Sequence, residues 1–247
     1  MFFFKKNKTV LKDLIPENHI DIHSHLLFGI DDGAKTFEDT LALTSAMTDF
    51  GIKEFITTPH IIQHVWENNT AIISAKEDEV ISLFQQNNIS LPFKAAAEYL
   101  MDDHFVKLFQ NENLLCLKDN YVLVEMSYIN APIQLYDILF DLQVAGYKPV
   151  LAHPERYLFY HKNFGEYTKL KKAGCLFQLN MLSIVGYYGE SVFLTAKKLL
   201  ENGMIDYVGS DVHHQKHIEA FHHKVDLKDL NPLKEVIANN QFFATLK

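Results

Sequence analysis

The chain has 247 residues, 48% of them hydrophobic, with a formal net charge of −8 and two cysteines. An acidic balance without a clustered basic face excludes a general nucleic-acid binder, and two isolated thiols, Cys116 and Cys175, exclude a disulfide framework and fit a reducing compartment, the cytoplasm. No apolar run approaches the roughly 20 residues that a membrane span needs, no linker-like stretch divides the chain, and its length fits a single α/β barrel domain over residues 1–247.

In chain order, MFFFKKNK comes first, with its phenylalanines ahead of its lysines, the reverse of a secretory signal; residues 1–17 read as an N-terminal arm. HIDI, 19–22, is the first strand. Thr36 and Asp39 then suit a capping box, Leu43, Met47 and Phe50 repeat on one helical face, and Gly51 ends the helix. KEFITT, 53–58, is the second strand, and Ile73, Val80, Leu83 and Phe84 give the following helix its apolar side. FKAAAE, 93–98, and YVLVEM, 121–126, are the third and fourth strands. Pro132 suits a first helical position, Leu135, Leu139 and Leu142 follow at helical spacing, and Gly146 closes that helix.

KPVLAH, 148–153, CLFQLN, 175–180, and DYVGS, 206–210, complete seven strands that start roughly 25 to 40 residues apart, the spacing of successive βα units. Alternating strands and helices imply a parallel sheet, and strands that are apolar throughout imply one covered on both faces. A closed α/β barrel satisfies both conditions.

The chemistry-bearing side chains fall at one kind of place. His23 and His25 follow strand one, His60 strand two, Glu98 ends strand three, Glu125 strand four, His153 strand five, and Asp211 with His213 follows strand seven. In a parallel barrel all of these carboxyl-terminal strand ends share one rim, and Asp32, in the loop after strand one, can join them. Nine nitrogen and oxygen donors without a thiolate exceed the four that one zinc takes. They suit two or three divalent ions, manganese first, with iron, zinc or magnesium as alternatives.

Each residue alone has an ordinary explanation. A His-x-His pair arises by chance, His60 and His153 beside prolines read as loop histidines, and Asp211 in SDVHH reads as a helix N-cap. Glu98 is harder to dismiss, because an unpaired carboxylate on an alanine-rich strand is costly to desolvate. Six of the seven strands ending in a ligand-type residue is not what solvated loops produce.

HIDIHSH, TTPH, Glu98, AHPER and GSDVH together resemble the PHP (polymerase and histidinol phosphatase) family of metal-dependent phosphoesterases. IDIHSHLLFGIDDGAKT, TTPH and AHPERY resemble more narrowly its capsule- and exopolysaccharide-associated bacterial tyrosine-protein phosphatases, over roughly residues 18 to 225. The resemblance implies a distorted, TIM-like (β/α)7 barrel with a trinuclear site. It implies one ion on His23, His25, Glu98 and Asp211, a second on Glu98, Glu125 and His153, and a third on Asp32, His60 and His213, with Glu98 bridging. The last three residues, with Arg156 of HPER gripping phosphate through its fork of donors, are expected to act on the substrate directly. A second arginine belongs after the SDxH motif; here the chain reads HHQKHIEAF, so Lys216 or His217 is expected to supply that charge.

Asp32, Glu98, Glu125 and Asp211 bring four negative charges against six from three divalent ions, so the site welcomes a phosphate dianion. Ions of this kind lower the pKa of bound water toward about 7 and clamp both oxygens of an in-line displacement. Hydrolysis is then expected to be direct, by a metal-activated hydroxide. Neither cysteine has an arginine six residues on, so neither forms a cysteine-phosphatase loop. Phe28, His64, Trp66 and Tyr157 adjoin the rim, where packing explains them as well as a wall for a phenolic ring. Phosphotyrosine specificity, and a tyrosine-rich kinase tail as substrate and partner, come from the resemblance alone. Histidinol-phosphate or nucleotide phosphatases of the same fold, an amidohydrolase barrel and a non-catalytic docking partner are the rival readings. Strand four ending in Glu125 and strand six in Asn180 speak against the amidohydrolase. His214, His217, His222 and His223 read as a solvated helix face, and nothing in the sequence sets the oligomeric state.

Overall fold

Apolar strands with a period of two build the wall of the molecule. A computed structural model describes residues 9–244. It has β1 (His19–Asp21), β2 (Ile52–Thr57), β3 (His60–Ile61), β4 (Phe93–Ala95), β5 (Glu98–Leu100), β6 (Tyr121–Glu125), β7 (Lys148–Ala152), β8 (Leu176–Asn180) and β9 (Tyr207–Gly209). All ladders are parallel, in a sheet β1-β2-β4 and a second sheet β3-β5-β6-β7-β8-β9.

The nine segments are seven strand positions, because the second and third are each broken once. Pro59, which has no N–H to donate, interrupts the second strand between Thr57 and His60. Backbone bonds from Ala96 to Thr57 (2.8 Å) and from Glu98 to Pro59 (3.1 Å) carry the wall across the gap. Glu98 therefore opens β5 instead of closing the alanine-rich strand, and the break turns it into the barrel mouth.

The seam between first and last strands is closed by side chains as much as by backbone. Ser24 bridges Val212 in parallel, and Ser210 donates both its N–H and its hydroxyl to Asp21 at 2.9 and 2.8 Å. Lower down, the Asn240 amide stands in for a missing rung: its Nδ2 donates to the carbonyls of Ile20 and Val208, both at 2.9 Å, and its Oδ1 accepts from Val208 N–H. Asn240→Ala would strand three buried backbone groups. We expect a loss of about 3 kcal/mol in urea unfolding; a loss near zero would mean that water fills the gap.

Helices α1 (Phe37–Asp49), α2 (Thr70–Gln86), α3 (Asp103–Asn111), α4 (Leu135–Val144), α5 (Gly165–Lys172), α6 (Glu190–Glu201), α7 (Gln215–Ala220) and α8 (Asn231–Asn239) pack outside. The capping box of Thr36 and Asp39 forms as expected and starts α1, whose Leu43 and Met47 face the core. Pro132 lies in the turn before α4, where its carbonyl accepts from Leu135, and so precedes the first helical residue. The main core lies between wall and helices. A smaller cluster, Ile20, Ile22, Ile56, Ala96, Leu123, Val150 and Ala152, fills the barrel, with Phe243 beneath it. The expected arm is outside the described residues up to position 8; from Val10, which pairs with Lys224, the chain is tied down, and Leu11 is fully buried. Cys175 is buried and Cys116 half-buried, and neither lines the cleft at the barrel mouth.

Candidate metal centre

Strand parity aims the ligands. Tyr121 and Leu123 face the barrel interior, so Glu125, two residues on, points into its upper end. Leu176, Gln178 and Asn180 share the corresponding face of β8. Gly209, opposite them, has no side chain because a Cβ there would meet Gln178 Nε2 at 2.5 Å and His23 Cβ at 2.6 Å. Two of the expected ligands sit in left-handed backbone, His153 at φ 36° and Asp211 at φ 51°, a strain that concentrates at functional sites. Asp211 is not a helix cap; α7 starts at Gln215.

The nine expected ligands converge. His23 Nε2 lies 3.2 Å from both Glu98 Oε2 and Asp211 Oδ1, while His25 Nε2 lies 3.5 and 3.4 Å from those oxygens and 3.4 Å from His23 Nε2. Four ligands about 2.1 Å from a tetrahedral ion stand about 3.4 Å apart, so these spacings fit a cation among them. His60 Nδ1 lies 3.2 Å from Glu98 Oε2 and 3.0 Å from Glu125 Oε1. All three atoms are buried at ion-pair distance from one another but make no well-directed hydrogen bond, an arrangement that a cation among them would complete. His153 Nε2 reaches the other Glu98 oxygen at 3.1 Å.

At the outer lip, Asp32 Oδ1 lies 3.6 Å from His60 and 3.5 Å from His213. His25 joins this outer group, His60 also joins Glu98 and Glu125, and His23 also joins Glu98 and His153, so the geometry spreads these three histidines over more positions than the implied sets do. An imidazole and carboxylate set of this size suits borderline to hard divalent ions.

The electrostatics call for cations. Burial alone would depress both histidines, yet Glu98 with Asp211 pushes His23 up to about 10, and Glu125 with Glu98 pushes His60 up to about 9. Burial would raise the carboxyls, but His23 beside both, with His60 near Glu98 and His213 near Asp211, holds Glu98 and Asp211 well below the usual range. Without metal these imidazoles hold protons at pH 7, and a metal ion must displace them. Manganese binding should therefore release protons and tighten between pH 6 and pH 8. Calorimetry in two buffers of different ionisation enthalpy reads the release directly; equal heats would mean that the imidazoles were already neutral.

Sequence reasoning missed the residues that hold the expected ligands in place. Asp31, neighbour of the expected Asp32, accepts from His25 Nδ1 at 2.8 Å and from Gly33 N–H at 2.9 Å. Gln178 Oε1 lies 2.7 Å from His23 Nδ1. Both leave the Nε2 atoms free for a metal. Only the inward parity of β8 could have flagged Gln178.

The cleft above the cluster measures about 230 Å³ and is lined by Tyr128, Arg156 and Tyr188 among others. Arg156 Nη1 donates to Asp211 Oδ2 at 2.7 Å, and its guanidinium lies 4.8 Å from the Tyr128 ring and 4.2 Å from that of Tyr188. These two tyrosines, which carry no local sequence signal, form the aromatic walls. Tyr157 is fully buried with its hydroxyl on Ala152 O and Met126 N–H, Phe28 packs on Phe37, and Trp66 lines a separate depression.

Two expected substrate contacts lie away from the cleft. His64 is 80% exposed in its side chain, 3.5 Å from Glu67, and Lys216 is exposed outside the lining. His217, expected on a solvated face, is instead buried, lines the cleft, and accepts from His213 N–H at 3.1 Å. Burial, with His214 beside it, pushes His217 down to about 3, so a neutral imidazole stands where the second cation was expected.

Comparison with known proteins places the chain in a family. A family model described as "Capsular polysaccharide synthesis, CpsB/CapC" matches residues 19–221. Tyrosine-protein phosphatase YwqE of Bacillus subtilis is 30% identical over 198 residues, 80% of this chain and 78% of that protein. Tyrosine-protein phosphatase CpsB of Streptococcus pneumoniae is 29% identical over 200 residues, 78% of this chain and 82% of its own. A crystal structure from work on those two proteins, described as unique metal-dependent tyrosine phosphatases, matches with a TM-score of 0.79 and 27% identity, covering 91% of this chain and 93% of that chain. Histidinol phosphate phosphatase of Lactococcus lactis shares the fold alone, at a TM-score of 0.52 and 12% identity, covering 90% and 94%. With a family model matched over most of its length, a relative at 30% identity and a seven-position parallel barrel that superposes on a solved structure from the same group, the chain belongs to the CpsB/CapC family and has the PHP-type distorted barrel.

Proposed function

We propose that the protein is a metal-dependent protein-tyrosine phosphatase whose nine converging side chains hold two or three divalent ions, manganese first. The observation that carries this reading is the buried set of imidazole and carboxylate atoms around Glu98 that converge without well-directed hydrogen bonds, with Arg156 on Asp211 beside them. Ions held there would supply an activated water and charge to stabilise an in-line displacement at phosphorus.

The chain's own residues do the rest. Arg156, locked between Tyr128 and Tyr188, offers a fork of donors to the phosphoryl oxygens. The two tyrosines flank the space a phenolic ring would enter, and Tyr128 is 47% exposed at its edge. Asp32, His60 and His213 close the outer lip. Asp31 is a fifth carboxylate near the cluster but is tied to His25, so three divalent ions would still leave the site positive toward a phosphate.

Family membership supports a bacterial tyrosine kinase of capsule or exopolysaccharide synthesis as the substrate, dephosphorylated in the cytoplasm. No helix among the described residues is long and apolar enough to cross a membrane. The test is hydrolysis of a phosphotyrosine peptide by protein stripped with chelator and restored with manganese, with His25→Ala in parallel. Activity should return in the wild type alone. Turnover of a small phosphate ester but not of the peptide would keep the chemistry and discard the substrate, and no turnover of either would discard both.

A further inference from the structure

A second, larger cavity of about 560 Å³ opens on the same rim as the catalytic cleft. Its apolar side is Leu100, Met101, Ile133 and Ile138, and its polar side carries Asp102 and Asp103, with no lysine or arginine among the lining residues. Asp102 is committed to capping α3, accepting from Phe105 N–H at 2.8 Å. Asp103 is exposed and has no ion-pair partner among the described residues.

The two cavities are neighbours through one loop. Tyr128 lines the catalytic cleft, while Ser127 and Asn130 of the same loop line the larger cavity. Consecutive Cα atoms are about 3.8 Å apart, so two or three residues of extended chain cross from one cavity to the other. At the lip, Ile133 is 102% exposed and Ile129 85%. Both isoleucines thus leave apolar side chain bare on the loop that borders the cavity.

We propose that this cavity is a subsite for the polypeptide flanking the phosphotyrosine, taking an apolar side chain against Ile133 and Leu100 and a neighbouring lysine or arginine against Asp103. The subsite rests on the phosphatase reading and deepens it. It lets the enzyme select phosphotyrosines by what stands beside them, while small esters, which reach the cleft alone, are indifferent to it.

The test compares manganese-loaded full-length wild type, Ile133→Ser and Asp103→Lys. Substrates are para-nitrophenyl phosphate and two phosphotyrosine peptides, one with Ile and Lys on both sides of the phosphotyrosine and one with Ser and Glu. Wild type should prefer the first peptide. Asp103→Lys should reduce that preference about fivefold or reverse it, the size of a partly exposed charge pair. Ile133→Ser should raise KM for the first peptide with kcat kept, and both variants should turn over para-nitrophenyl phosphate as wild type does. Equal peptide preference in all three proteins, with the small ester hydrolysed normally, would overturn the subsite alone. Parallel losses on ester and peptides would overturn it as well, showing a general disturbance. Wild type inert toward every ester would overturn the phosphatase reading and the subsite with it.

Discussion

Replacing Glu98 by glutamine lowers kcat/KM for a phosphotyrosine peptide by at least about a thousandfold, equivalent to about 4 kcal/mol of transition-state stabilisation. The reason lies in its connections. One Glu98 oxygen lies 3.2 Å from His23 and from His60 and 3.5 Å from His25, and the other lies 3.1 Å from His153. A single carboxylate thus faces four imidazoles, and an amide of the same shape presents one acceptor and two donors, removes a charge and cannot bridge two ions. Elemental analysis after manganese loading should show fewer ions per chain than in wild type. The metal-free variant should still fold, because glutamine keeps the volume of a side chain that is wholly enclosed. Full metal content with activity within tenfold of wild type would show that Glu98 is not the shared ligand, and the site would have to be rebuilt around Asp211.

Arg156→Ala should reduce kcat/KM by about a hundredfold to a thousandfold, the usual cost of deleting one donor aimed at charge that develops in the transition state. Arg156→Lys should recover only a small part of that loss. Lysine keeps the charge but loses the planar fork and its stacking between Tyr128 and Tyr188, which the present guanidinium uses at 4.8 and 4.2 Å. Because no second arginine faces the cleft and His217 is neutral there, Arg156 has no understudy. The loss should therefore be shared by para-nitrophenyl phosphate and peptide alike, and metal content should not change. Manganese stoichiometry falling together with activity would instead assign Arg156 to holding Asp211, to which it donates at 2.7 Å.

Asn240 and Asp31 illustrate why part of the architecture was not legible. Asn240 stitches β1 to β9 across more than two hundred residues of chain; nothing in the local pattern NNQFF distinguishes it from a polar turn. Asp31 and Asp32 are adjacent and chemically alike, yet one is buried on His25 while the other is 52% exposed at the lip. Only the direction of each side chain separates those roles.

The convergence of the candidate ligands, by contrast, was foreshadowed by the sequence. Each of His23, His25, Glu98, Glu125, His153, Asp211 and His213 stands where an apolar run of strand length gives way to a polar residue, and the parallel connectivity of βα units obliges such positions to share a rim. The seven-position barrel and its donor set could be read because periodicity and strand order are properties of the chain. The tertiary structure alone decided three other matters: which neighbours lock the imidazoles, that Tyr128 and Tyr188 wall the cleft, and that His217 turns inward while Lys216 and His64 turn to solvent. Those choices depend on how loops from different strands pack against one another, and no stretch of sequence contains both halves of such a contact.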